Sequence, residues 1–319
     1  MIGTSQPEFL PPDGHGIAQA ADILRADGLV AVPTETVYGL AARADSEAAV
    51  ASIYRAKGRP NFNPLIVHVA DLAAAERLAK LDERARILGV RFWPGALTMV
   101  LPIRAEAGLA PAVTAGLPTV ALRCPAHPIM RALLDACALP LAAPSANRSG
   151  GVSPTRAEHV RDSLGGRVQA ILDGGACALG IESTIVGLRE GGGWQVLRPG
   201  PISEEQIAEV LNASSAVDPG PDRIEAPGQL SSHYSPGKPM RLDARTALPD
   251  EFHIGFGSIA GDANLSPSGD LAEAAARLYD ALHLASASPK RAIAVAPLPG
   301  DGIGLAIRDR LNRAAADQS

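Results

Sequence analysis

A stretch rich in proline, glycine and serine, residues 213–238, interrupts an otherwise regular alternation of helix-like and strand-like segments. Such a composition favours weakly packed, extended chain and is typical of a linker. Because a domain holds roughly 100–200 residues, a chain of 319 residues is long enough for two. The sequence therefore predicts a larger unit before the linker and a smaller one after it.

Before the linker, apolar periodicity predicts helices and short β-branched strands in mixed order. Helices are predicted within residues 17–30, 46–57, 71–89, 126–138, 154–164 and 203–212, and strands at 29–32, 65–69, 98–103, 119–123, 139–146, 170–175, 183–188 and 194–200. We expect Asp45 or Ser46 to cap the second helix, and Ser153 to cap the fifth with Pro154 in its first turn. Successive strands predict an α+β domain with a mixed sheet.

After the linker, strand-like and helix-like segments alternate at residues 251–257, 270–285, 291–297 and 302–315. This alternation predicts a small α/β domain over residues 239–319.

Composition excludes several classes of protein. No apolar run of about 18 residues is present, which argues against a membrane-spanning helix. The net charge of −5, with no basic block, argues against nucleic acid as the main ligand. The three cysteines form no Cys-x-x-Cys pair, so we expect neither a zinc site nor a disulfide framework. A cytoplasmic protein is the expectation.

The segment KGRPNFNPLIVH, residues 57–68, places two cations at the exit of a predicted helix. Arg59 can bind a phosphate or carboxylate through a planar fork, and Lys57 can act on it as a point charge. Alternatively, both cations complement the helix dipole in water. Histidine in a strand is more often structural than catalytic, so His68 alone decides nothing.

The segment PSANRSGGVSPT, residues 144–155, combines small residues, glycine and polar side chains before a predicted helix start, a pattern that can cradle an anion. An ordinary serine–glycine loop is the alternative. No Walker A motif occurs in the chain. Arg123 and Arg198 end two predicted strands, and together with Arg59 they indicate an anionic ligand.

Two acidic residues are open candidates for general bases. Glu35 lies in the polar turn PTETVYGL, residues 33–40, where a structural role is the simpler interpretation. Glu182 lies in GIESTIV, residues 180–186. Nothing in the sequence indicates that these two carboxylates approach each other.

Taken in order, the segments closely resemble the YrdC/Sua5 family of threonylcarbamoyl-AMP synthases. The matching stretches are PTETVYGL, KGRP with NPLIVH, FWPGALT, TVALRCP, PSANRSG, GIESTIV and LRPG, within about residues 17–203, followed by APGQLSSHYSP at 226–236. The resemblance implies a YrdC-like twisted mixed β-sheet with flanking helices and a large concave cavity over residues 10–205. It further implies a linker at 206–238 and a small Rossmann-like α/β domain at 239–319.

The resemblance also implies an activity: formation of threonylcarbamoyl-AMP and pyrophosphate from L-threonine, bicarbonate and ATP, for modification of adenosine 37 in tRNA. By motif, catalysis falls on Lys57, Arg59, Ser145 and Asn147; ATP binding on Arg59, Asn63, Thr119, Ser145, Ser153, Arg198 and Tyr234; and threonine binding on Thr36, His68, Arg123, Ala143 and Ser183. Mg²⁺ would enter with ATP, with no metal held by protein side chains. A downstream threonylcarbamoyl-transferase complex would act on tRNA, while direct tRNA binding would be weak or absent and no membrane would be involved.

The chain departs from the family pattern at Ala96, where a second proline is usual, and at residues 229–232, which replace a Met-Lys-Tyr-Arg run before His233. Two other functions stay open. An RNA-binding module is disfavoured by the charge, and a carbamoyl-transfer maturation factor is disfavoured by the absence of zinc-finger cysteines. Five of the eleven aromatic residues fall within the matching motifs, which predicts that the site uses them more than the general core does.

Overall fold

The structure, a computed structural model, describes residues 6–189, 191–215, 225–227 and 233–316. The strands are β1 (Glu8–Leu10), β2 (Val30–Val32), β3 (Gly39–Arg43), β4 (Ile66–His68), β5 (Leu97–Pro102), β6 (Thr119–Arg123), β7 (Leu141–Ala142), β8 (Ala170–Leu172), β9 (Thr184–Leu188), β10 (Trp194–Arg198), β11 (Met240–Arg241), β12 (Glu251–Gly255), β13 (Ala263–Asn264) and β14 (Ala292–Val295). The helices are α1 (Gly14–Arg25), α2 (Glu47–Lys57), α3 (Leu72–Leu78), α4 (Glu83–Phe92), α5 (Pro111–Thr114), α6 (Pro128–Cys137), α7 (Ala157–Leu164), α8 (Glu204–Leu211), α9 (Leu271–Ala287) and α10 (Ile303–Ala315).

The larger sheet is mixed, as expected, and has ten strands in the order β1-β8-β2-β3-β7-β4-β6-β5-β9-β10. At its centre β4 runs parallel to β6 and antiparallel to β7. This register sets His68, the last residue of β4, opposite Arg123, the last residue of β6. The sheet itself therefore brings two of the candidate site residues together.

The smaller sheet contains β11, β14, β12 and β13, in that order, and each neighbouring pair is parallel. Helices α9 and α10 bury apolar faces that include Leu278, Leu282, Ile307 and Leu311. A four-stranded parallel sheet with helices packed on it agrees with the small α/β unit expected after the linker. Of the predicted linker, residues 206–211 belong to α8, and residues 216–224 and 228–232 lie outside the described ranges.

Most predicted elements are present, and α2 shows why local signals worked there. The Ser46 side chain accepts a hydrogen bond from the Ala49 amide at the start of the helix, which decides between the two candidate caps. At the other end Gly58 adopts the left-handed conformation, with φ of 63°. The helix therefore ends at Lys57, and Arg59 is the first residue after the Gly58 cap.

Two helix predictions were wrong in detail. Residues 71–89 form two helices, because Ala79 is extended and bridges Ile103, and Asp82 then caps a new helix. The helix predicted from Ser153 begins only at Ala157, because the segment before it is extended and makes other contacts. The Ser153 hydroxyl donates to Glu182 instead of capping, and the carbonyl of Pro154 accepts from the amide of Tyr38.

None of the helices in the described ranges combines the length and the hydropathy that crossing a bilayer requires.

Candidate active site

A cavity lies where the central strands of the larger sheet end. Nine of the predicted site residues line it: Thr36, Arg59, His68, Arg123, Ala143, Ser145, Ser183, Arg198 and Tyr234. They come from segments scattered over the chain, which the strand order gathers at one place. The cavity thus unites side chains assigned to threonine with side chains assigned to ATP.

The remaining five predicted residues do not line this cavity: Lys57, Asn63, Thr119, Asn147 and Ser153. The Nζ atom of Lys57 donates to the carbonyl oxygens of Ser145 and Asn147, at 2.6 and 2.5 Å. Lys57 therefore holds the backbone of the 144–155 loop without lining the cavity, and its predicted catalytic role stays a prediction.

Arg123 and its partners form one side of the cavity, here called the Arg123 side. The guanidinium donates to Glu35 Oε1 at 2.5 Å, to Thr36 Oγ1 at 2.8 Å and to the Gly95 carbonyl at 3.1 Å. Burial would raise the pKa of Glu35, but the charge and hydrogen bond of Arg123 lower it below its usual value. Glu35 is thus a structural ion-pair partner, as its position in a turn indicated.

The opposite side, here called the Arg59–Arg198 side, holds buried cations that bind neutral acceptors. Arg59 donates to the carbonyls of Asn63 and Pro64, and Arg198 donates to the carbonyl and hydroxyl of Ser183. Among the described residues neither arginine has a carboxylate within 4 Å. Burial lowers the pKa of both, that of Arg59 to about 10. An anionic ligand would supply the contacting negative charge that both guanidinium groups lack.

His68 adds no charge to the cavity near neutral pH. Burial, and to a lesser extent the positive charge of Arg123, lowers the pKa of His68 to about 3. The cavity therefore owes its positive character to arginine.

The His233–Tyr234 segment forms part of the cavity wall. Both side chains line it, together with Pro227. The amide of Ser235 donates to the carbonyl of Gly150 at 2.8 Å, and Ser235 also bridges Gly151. The segment is therefore fastened to the 144–155 loop. The replaced residues 229–232 lie outside the described ranges.

Glu182 is a site residue whose role the sequence left open. It lines the cavity, and its carboxylate accepts from Ser153 at 2.6 Å and, across to the smaller unit, from Arg310 at 3.0 Å. Burial alone would raise its pKa, but the charges of Arg310 and Arg198 hold the pKa at about 2. It does not meet Glu35 in an acid–base pair, since Glu35 pairs with Arg123.

The prediction that the site recruits the scarce aromatic residues was wrong for most of them. Tyr38 and Trp93 are buried in the main apolar core, Phe92 packs against that core, and Phe62 is exposed. Tyr234 alone of the five lines the cavity.

Two family models together match nearly the whole chain. The Sua5–YciO–YrdC family model, described as "Telomere recombination", matches residues 22–200, and the model described as "Threonylcarbamoyl-AMP synthase, C-terminal domain" matches residues 202–316. The chain belongs to the Sua5/YrdC family. The second match also places it with the long, two-part members, which agrees with the resemblance found in its motifs.

Characterised relatives of this family are similar over nearly the full length. Threonylcarbamoyl-AMP synthase of Bacillus subtilis is 44% identical, with 94% of this chain and 92% of the relative covered. The Pyrococcus abyssi synthase is 39% identical, with 93% of each chain covered. The crystal structure of P. abyssi Sua5 complexed with L-threonine superposes with a TM-score of 0.87 at 36% identity and covers 97% of both chains. The expected fold is therefore confirmed.

Proposed function

We propose that this chain is a threonylcarbamoyl-AMP synthase, which converts L-threonine, bicarbonate and ATP into threonylcarbamoyl-AMP, pyrophosphate and water for the threonylcarbamoylation of adenosine 37 in tRNA. One observation carries the proposal: a single cavity joins the Arg123 side, where Glu35 pairs with the arginine, to the Arg59–Arg198 side, where neither arginine contacts a carboxylate of the described residues. The first suits a zwitterionic amino acid, and the second suits a polyphosphate. The family membership of both parts of the chain supports this interpretation.

The chemistry requires positioning more than a protein nucleophile. The amine of threonine attacks CO2 derived from bicarbonate and forms a carbamate. A carbamate oxygen then attacks the α-phosphorus of ATP, and pyrophosphate leaves, which makes the enzyme a nucleotidyltransferase. The buried guanidinium groups of Arg59 and Arg198 are suited to stabilise charge that develops on the phosphates.

We expect Mg²⁺ to accompany ATP, held by the phosphates and water. Glu182 is the carboxylate among the described lining residues, and both of its oxygens already accept hydrogen bonds from protein donors. Within the described ranges no group of three acidic, histidine or cysteine residues is placed to hold a metal ion. Mg²⁺ commonly keeps several waters and binds through substrate phosphates, which fits this donor set.

The partners of the protein follow from the same chemistry. Its adenylate product would pass to a threonylcarbamoyl-transferase complex that acts on tRNA. The acidic net charge of −5 favours weak or absent direct tRNA binding by this chain. We expect the protein to act in the cytoplasm, where ATP and tRNA are present.

The activity is tested by incubating the purified chain with ATP, Mg²⁺, bicarbonate and L-threonine and measuring pyrophosphate release. We expect release that depends on both threonine and bicarbonate. The Arg86→Ala variant, which changes an exposed arginine paired with Glu76, should keep full activity. Release at the level of a threonine-free reaction would contradict the proposed function.

A further inference from the structure

The last helix of the chain carries a fully buried arginine that reaches the active site of the other unit. Arg310 is 0% exposed, and its Nε donates to Glu182 Oε2 at 3.0 Å. Its Nη1 pairs with Asp309 at 2.7 Å, and its Nη2 has no hydrogen-bond partner in the part of the chain that the structure describes. A buried guanidinium with an unused donor is costly unless its other contacts offset the desolvation.

The guanidinium group of Arg310 also lies over the ring of Tyr234, a residue of the predicted linker. The guanidinium carbon of Arg310 is 5.6 Å from the ring centroid of Tyr234, within the range of a cation–π contact. Tyr234 is 1% exposed, and its ring also stacks on Tyr279 of α9, with centroids 5.6 Å apart. Two aromatic or cationic side chains of the smaller unit therefore hold the ring that lines the cavity.

The backbone of the same helix fastens the neighbouring linker residue. The amide of His233 donates to the carbonyl of Arg313 at 3.3 Å, one turn after Arg310. On the other side, the amide of Ser235 donates to Gly150 of the 144–155 loop. The His233–Tyr234 segment is thus held between α10 and the loop expected to bind phosphate.

Glu182 completes the connection into the catalytic unit. Its Oε2 accepts from Arg310 and from the hydroxyl of Tyr279 at 2.8 Å, and its Oε1 accepts from Ser153. One carboxylate at the cavity wall therefore joins Arg310 and Tyr279, two residues of the smaller unit that contact the Tyr234 ring. Arg310 therefore contacts both Glu182 and Tyr234.

We propose that Arg310 is a positioning residue for the nucleotide site: it holds Tyr234 and Glu182 at the cavity wall, so that the C-terminal unit controls ATP affinity without contacting ATP. This inference rests on the proposed synthase function for its kinetic consequences. Its structural consequence, the anchoring of the His233–Ser235 segment, is independent of any activity.

The test compares three variants with the wild type: Arg310→Gln, Arg310→Lys and a matched control, Arg308→Gln. Arg308 lies on the same helix, is partly exposed, and contacts the carbonyl of Leu298 and, at 3.8 Å, Asp243. Two quantities are measured: KM and kcat for ATP and for threonine in pyrophosphate release, and hydrogen exchange of the peptide 233–240 by mass spectrometry.

For Arg310→Gln we expect KM for ATP to rise about tenfold, KM for threonine to stay unchanged and kcat to stay within about twofold. Exchange of the Ser235 amide should accelerate at least tenfold. Arg310→Lys keeps the charge beside Glu182 but loses the planar group over the ring, so an intermediate effect is expected. Arg308→Gln should match the wild type in both measurements.

A purely structural role for Arg310 gives a different pattern, in which apparent kcat falls with the folded fraction while KM for ATP and the exchange of peptide 233–240 in folded protein do not change. That pattern would overturn the inference. If Arg310→Gln does not fold, Tyr234→Leu and Arg310→Lys are combined in a double-mutant cycle: coupled effects on KM support the contact, and additive effects refute it. A wild type without synthase activity refutes the proposed function, whereas hydrogen exchange still decides whether Arg310 anchors the segment.

Discussion

The two sides of the cavity differ in the groups that accept hydrogen bonds from their buried arginines. On the Arg123 side a carboxylate and a hydroxyl accept from the guanidinium, so its charge is balanced inside the protein. On the Arg59–Arg198 side the acceptors are backbone carbonyls and a hydroxyl, so its charge is not balanced by a contacting carboxylate. The first side is complete without a ligand, and the second is completed by one.

This difference separates stability from affinity. Breaking a buried ion pair leaves an uncompensated charge and costs much of a domain's stability. Removing a buried cation that has no partner charge also removes its desolvation cost, so the fold loses little while an anionic ligand loses its partner. Replacement of an arginine should therefore lower mainly the free energy of unfolding on the Arg123 side, and mainly the affinity for the anionic ligand on the Arg59–Arg198 side.

The largest expected effect is on the Arg123 side. Arg123→Met leaves Glu35 buried without its cation and should lower the free energy of unfolding by about 3–5 kcal/mol. Urea denaturation measures this loss. The double variant Glu35→Gln/Arg123→Met removes both charges and should recover most of it. A loss below about 1 kcal/mol in the single variant would show that the pair does not differ from a surface ion pair.

On the other side, Arg59→Met should weaken ATP binding roughly ten- to hundredfold, because it removes about 1.5–3 kcal/mol of charge-assisted hydrogen bonding. Threonine binding should persist, and the free energy of unfolding should stay within about 1 kcal/mol of the wild type. Calorimetric titration with ATP and with threonine distinguishes these outcomes. Arg55→Met, which changes an exposed arginine one turn earlier, is the matched control. Loss of threonine binding with ATP binding retained would reverse the assignment of the two sides.

The smallest effect concerns pH and His68. Its pKa is about 3 in the folded protein, against a usual value of about 6.5 in an unfolded chain. Below pH 6.5 the unfolded chain takes up the proton first, so stability present above that pH is lost as the pH falls toward 3. Between pH 7.5 and 5.5, His68→Gln should lose about 1.4 kcal/mol less stability than the wild type. Equal losses in urea midpoints at both pH values would show that His68 does not titrate in this way.

Local sequence signals predicted much of the fold because each acts over a few residues. Ser46 and Gly58 set the two ends of α2 through hydrogen bonds and backbone conformation within a few residues, and short β-branched runs marked the strands. The prediction failed where a tertiary contact overrode the local signal. Ser153 has the chemistry of a helix cap, but its hydroxyl is used by Glu182, 29 residues later.

The cavity lining was predictable as a set of residue types, and its geometry was less so. Nine of the motif residues line one cavity, but a motif cannot show that Lys57 donates to a backbone carbonyl of the 144–155 loop and does not line the cavity. Nor could it pair Glu182 with Arg310, 128 residues away, since that pairing depends on how the smaller unit packs. Charge and spacing along the chain carry no such information.

The strand order has a consequence for how the protein is made. β1 and β2 both pair with β8, and β5 pairs with β9. Early strands therefore cannot complete their pairing until much later segments of the chain have been synthesised. Contacts between distant segments form slowly, and synthesis delivers the chain from its N-terminus. A growing chain on the ribosome lacks Arg198 and β10 until most of the larger sheet has emerged, and α10 follows β10 later still. Nucleotide binding that uses Arg198 therefore cannot assist the early steps of folding.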